Sequence, residues 1–103
     1  MKLENIKPGD YIVYKEKEDF YDLTTYIIHV KSVEKVKAGY KINATFILEH
    51  FLYSGYYTLA SKDSMVFDEE EEPQLRKARK SEIGRFHIEL TNLYNRLRNF
   101  IRS

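Results

Sequence analysis

The sequence predicts an α+β chain, a small SH3-like antiparallel β-barrel of about five strands followed by one long C-terminal α-helix. Three observations carry that expectation. Short runs rich in Val, Ile, Tyr and Phe recur through residues 1–67, separated by turn formers such as Pro8-Gly9, Ala38-Gly39 and Ser54-Gly55. From Ile83 onward the apolar residues change period, with Ile83, Phe86, Leu90, Leu93, Leu97 and Phe100 spaced alternately by three and four. Charge changes at the same place. Residues 1–67 are neutral, residues 68–72 carry −5, and residues 73–103 carry +6.

Lys7-Pro8-Gly9-Asp10 opens the chain as a tight turn, with Pro fixing one φ and Gly tolerating a positive one. Tyr11-Ile12-Val13-Tyr14 follows as a strand that is apolar on both faces, so it belongs in the middle of a sheet. A second strand runs from Thr24 to Lys37. Tyr26, Ile28 and Val30 alternate there, but the next apolar residues are Val33 and Val36. That break in the two-residue period predicts a β-bulge near Lys31-Ser32. After an Ala38-Gly39 turn, Tyr40, Ile42, Ala44, Phe46 and Leu48 alternate with mostly polar residues and predict one apolar face on a third strand. Tyr56–Leu59 and Met65–Phe67 supply two shorter strands. Closing five such strands into a barrel removes exposed edges that invite aggregation. An open antiparallel sheet with the helix across one face is the alternative architecture.

The domain plan is therefore a barrel over 1–67, a charged connector over 68–80 and an amphipathic helix over 81–103, all within one domain. At 103 residues the chain has room for a single modest core. The connector opens with Asp68-Glu69-Glu70-Glu71-Glu72, closed by Pro73. An acidic run of this kind reads as a solvated hinge whose charge favours the start of the following helix. His87, Tyr94 and Ile101 widen the helical stripe, which suits packing on a globular surface more than a narrow coiled coil. The spacing leaves open whether the helix lies on its own barrel or on a second chain, which would make a homodimer. Gly84 interrupts the first turns, at a helix cost of about 1 kcal/mol relative to Ala.

Chemistry is sparse. With no Cys there is no disulfide, thiolate metal site or Cys nucleophile. His29, His50 and His87 do not share ligand spacing, and the four glycines stand apart, so no phosphate loop is formed. We expect no enzyme activity, no catalytic or metal-ligating residue and no cofactor. No apolar run approaches the roughly 20 residues that span a bilayer, so a cytoplasmic protein without membrane contact is expected.

Three surfaces remain. Ile83, Phe86, Leu90, Leu93, Leu97 and Phe100 form a packing or self-association seam. Tyr53, Tyr56, Tyr57 and Ile88 are candidates for a partner surface, because a short strand cannot bury three tyrosines on one face and Ile88 lies opposite the seam. Arg76, Lys77, Arg79 and Lys80 are candidate phosphate contacts, as clustered cations on a helix opening attract a nucleic-acid backbone.

Ala78-Arg79-Lys80-Ser81-Glu82-Ile83 resembles the helix opening of uncharacterised short phage and mobile-element proteins, in which a small barrel precedes a C-terminal helix. Ala78, Glu82 and Ile83 match that pattern. Arg79 departs from it where a capping Thr would stand, and Ser81 where an acid would stand. The resemblance implies a small accessory protein that binds and modulates a host factor. Composition and resemblance together lead us to expect a non-enzymatic protein-interaction module, with nucleic-acid binding through the basic helix face and barrel aromatics as the alternative.

Overall fold

The computed structural model describes residues 1–16, 24–51 and 54–102, with Ile101 and Arg102 described by backbone alone. It is an antiparallel sheet followed by one C-terminal helix. The strands are β1 (Tyr11–Lys15), β2 (Thr24–Val36), β3 (Gly39–Phe51), β4 (Tyr57–Leu59), β5 (Ser64–Phe67) and β6 (Leu75–Lys77), and the helix α1 spans Lys80–Arg102. Along the hydrogen-bonded path the order is β4–β3–β2–β1–β6, and β5 pairs with the first part of β3. The path ends at β4 and β6 and does not close, so the ladder is an open sheet where the sequence suggested a sealed barrel. No helix among the described residues is long and apolar enough to cross a membrane.

β1 is central, as its double-sided apolarity predicts. It pairs with β2 on one side and with β6 on the other, and Ile12 and Val13 are fully buried. β2 and β3 form the longest ladder, which is kinked where the register shifts twice. Val30 pairs with Ala44 and Ser32 with Asn43, leaving Lys31 without a partner position on β2. On β3 the pairs His29–Phe46 and Val30–Ala44 skip Thr45 in the same way. Each extra residue exchanges the two faces of its strand.

The β2 bulge lies where the alternation fails. The β3 bulge corrects the single apolar face expected for that strand. Ile42 and Ala44 enter one core; beyond Thr45 it is Ile47 that continues there, while Phe46 and Leu48 turn to the other face. A chain apolar at three consecutive residues keeps an apolar side chain on each face whichever way the register slips, so the sequence pattern does not register the kink.

The sheet thus has a core on each side. The larger one gathers Ile12, Tyr14, Ile28, Val30, Ile42 and Phe67, among others, and is capped by a 3-10 helix at Leu3–Asn5 through Leu3 and Ile6. Gly39, with φ +142°, opens β3 beside β5; a Cβ there would collide with the Phe67 carbonyl. The smaller core joins Val13, Ile27 and Leu48 to Phe86 of α1.

The stretch expected as a charged connector is ordered structure. Glu69–Gln74 is a 3-10 helix with a capping box at Asp68, and Leu75–Lys77 is the sixth strand. Two of the acids hold the large core closed: the Tyr14 hydroxyl donates to Glu71 Oε2 at 2.9 Å, and the Leu3 N–H donates to Glu72 Oε2 at 2.7 Å. Burial first, then the Glu71 carboxylate, raises the Tyr14 phenol well above its ordinary range. Asp68, Glu69 and Glu70 stay exposed.

Candidate interaction surface

α1 begins where β6 ends, and one carboxylate organises the junction. Glu82 accepts two hydrogen bonds of 2.6 Å from the Arg76 guanidinium of β6 and a third of 2.9 Å from the backbone N–H of Arg79. The bond to Arg79 is one half of a capping box; Arg79 has no side-chain acceptor with which to complete the other half. The planar fork of Arg76 fits the carboxylate at both oxygens. Its hydrogen bonds hold the Glu82 carboxyl down at about 2, against the upward pull of burial. Arg76 is therefore bound to the helix start, with its side chain still 38% exposed. Lys77, Arg79 and Lys80 are exposed beside it.

One turn further on, the helix meets the sheet through an aromatic cluster. The Tyr11 ring stacks on His29 at 4.2 Å, and Phe86 meets both rings edge-on, at 5.5 and 6.3 Å. The Tyr11 hydroxyl and His87 Nε2 are 3.1 Å apart. Burial lowers the pKa of His29 below its ordinary 6.5, and the neighbouring His87 lowers it further. His29, His50 and His87 are far apart in sequence and share no spacing that pairs them. The pairing of His29 with His87 depends on how the helix crosses the sheet, which no local spacing records. Among the described residues, no group of three or more His, Asp or Glu is placed to hold a metal ion.

The seam is then divided along its length. Phe86 is 1% exposed, Leu90 and Leu93 pack around the same core, and Ile83 is half-buried. Beyond Leu93 the burial stops. Tyr94 keeps an edge-on contact with Phe46 at 5.8 Å but is 48% exposed, Leu97 is 55% exposed and Phe100 is 79% exposed. Six positions written with one period thus serve two purposes: the proximal four anchor the helix and the distal two face outward.

The expected tyrosine surface is redistributed. Tyr57 is half-buried at the sheet–helix junction, where it stacks on His50 at 4.3 Å and lies under the Arg85 guanidinium at 5.4 Å. Tyr56 is 70% exposed, and Tyr53 lies outside the described residues. Ile88 is 57% exposed, two residues and about 200° around the helix from the sheet-facing Phe86. No family model matches the sequence, and no match is found among the curated proteins or the solved structures.

Proposed function

We propose that this chain is a non-enzymatic protein-interaction module whose contact element is the distal half of α1. The division of the seam carries the reading. Tyr94, Leu97 and Phe100 continue the stripe that docks the helix, yet they remain open to solvent. Burying a Leu or Phe side chain is worth roughly 1.5–3 kcal/mol, so a contiguous set of them is a ready contact. The proximal anchor makes that contact useful, because Phe86 and the Arg76–Glu82 pair fix the helix before a partner arrives. The doubly bulged β2–β3 ladder, with β5 folded along β3, supports an SH3-like curl for the scaffold. A small cytoplasmic accessory protein of phage or mobile-element type, acting on a host factor, fits this plan.

The test places a photo-crosslinking residue at position 97 and, separately, at position 88 in cells. Adducts with another protein are expected at 97, competed by excess wild-type chain and not by the Leu97→Asp/Phe100→Asp chain. Equal labelling at 88, or no competition, refutes the reading. Nucleic-acid binding is the second reading, supported by the exposed Lys77, Arg79 and Lys80. Binding to single- and double-stranded DNA and RNA across a salt series decides it, since phosphate contacts must weaken steeply as salt rises.

A further inference from the structure

Among the described residues, the arginine side chains fall into two classes, ion-paired and exposed without an ion pair. Arg76 is paired with Glu82 at 2.6 Å and Arg85 with Glu89 at 3.0 Å. Arg96 and Arg98 belong to neither ion pair and are exposed. Residues 90–103 contain three arginines and no Asp or Glu, so the exposed end of the seam lies in a purely cationic segment. At 3.6 residues per turn, Arg96 and Arg98 stand about 100° to either side of Leu97, each bordering the apolar stripe. Cations in a final turn are accounted for by the helix dipole, whose influence fades within that turn. Arg96 and Arg98 both precede the last four residues of α1, so their flanking positions call for a further reason.

The shape and charge of this stripe select its occupant. It is the convex side of a helix, whose backbone donors and acceptors are used internally, so strand addition is excluded and ridge-into-groove packing with another helix fits. A second copy aligned on the same stripe would bring one pair of arginines against another, and like charges across an interface disfavour that pairing. Among the described residues the exposed acids are Glu4, Glu34, Asp63, Asp68, Glu69 and Glu70; none is ion-paired with Arg96 or Arg98, and the last three follow Phe67 of the large core, on the other side of the sheet from α1. Resting on the interaction reading above, we propose that the distal half of α1 docks an acidic amphipathic helix of a partner protein. The apolar stripe of that helix meets Tyr94, Leu97 and Phe100, and its flanking carboxylates meet Arg96 and Arg98.

The test uses synthetic helical peptides with Leu at i, i+3, i+4 and i+7, flanked by Glu, Gln or Lys, titrated against the full chain by fluorescence anisotropy. The Glu-flanked peptide is expected to bind best and to weaken with salt. Arg96→Glu with Arg98→Glu should cost about three- to tenfold in its affinity and shift preference to the Lys-flanked peptide. Leu97→Asp should abolish binding of all three, with an unchanged melting temperature showing that each variant is folded. Leu97-dependent binding that is indifferent to flanking charge overturns the acidic partner and leaves the interaction reading standing. Binding that survives Leu97→Asp overturns both. No binding by any peptide, or a doubling of the chain's own mass in solution through Leu97, overturns the helical partner, and the crosslinking experiment then judges the broader reading by itself.

Discussion

Replacing Phe86 with Ala tests how the helix is held. Phe86 is 1% exposed and, among the described residues, is the one fully buried α1 side chain of the small core, where it meets Val13, Ile27 and Leu48 and lies edge-on to Tyr11 and His29. A buried Phe→Ala change costs about 3–5 kcal/mol, through lost transfer energy and the cavity left behind. The cost here should sit toward the lower end, because the site lies at the sheet–helix junction, beside half-exposed rings that can move in. Leu97 is the internal control. It occupies the same seam but is 55% exposed, so Leu97→Ala should change stability by no more than about 0.5 kcal/mol. For a domain of this size each kcal/mol moves the melting midpoint by roughly 4–8 °C, so the two variants should separate by more than 10 °C. Urea unfolding followed by far-ultraviolet circular dichroism gives the same comparison as free energies. If Leu97→Ala cost as much as Phe86→Ala, the division of the seam would be wrong, and the surface proposed for the partner would already be occupied.

Further outcomes follow from other sites. Gly84 is helical, exposed and has nothing within 4 Å of an added Cβ, so Gly84→Ala should stabilise the chain by about 1 kcal/mol in a thermal melt. Gly39→Ala must instead push its new methyl into the Phe67 carbonyl from a positive φ, and should destabilise by at least about 2 kcal/mol. Glu82, ordinarily near 4.5 and held at about 2 in the fold, contributes stability above pH 4.5 that is lost as pH falls toward 2. A pH series of urea midpoints should show that acid slope, and Glu82→Gln should flatten it. His29 is also lowered, from an ordinary value of 6.5, so its contribution is present above pH 6.5 and is lost on acidification through its lower folded value. Proton NMR titration should find its midpoint below 6.5, and His87→Gln should bring it part of the way back.

Much of this architecture is legible in the residues, and the failures have physical causes. Tyr11–Tyr14 announces a central strand because it is apolar on both sides, and the Val30-to-Val33 gap announces the β2 bulge because the Tyr26, Ile28, Val30 alternation breaks at Lys31-Ser32. The matching bulge at Thr45 is silent, since Phe46-Ile47-Leu48 is apolar on either face. β6 is three residues long and sits among charges, so no period can develop over it. Its concealment changes the meaning of Arg76: without a strand to aim it, the residue reads as one member of a basic cluster and not as the partner of Glu82. The helical seam is plain from Ile83 to Phe100, but periodicity measures the stripe and not the sheet beneath it. Where Leu93 is covered and Leu97 is open is decided by the width of four other strands, information held far away in the chain.

The position of β6 also bears on how the molecule is made. Val13 in β1 pairs with Arg76, and Leu3 is tied to Glu72. While a ribosome adds residues one by one, the earliest strand must wait for nearly three-quarters of the sequence before its second neighbour exists. Val13, Ile27 and Leu48 wait longer still, until Phe86 has emerged. Contacts between such distant residues slow folding, and the waiting strands are hazardous to other nascent chains. The basic helix that follows β6 thus covers the small core. Shortening the chain before Lys80 should yield an aggregating intermediate rather than a smaller working domain.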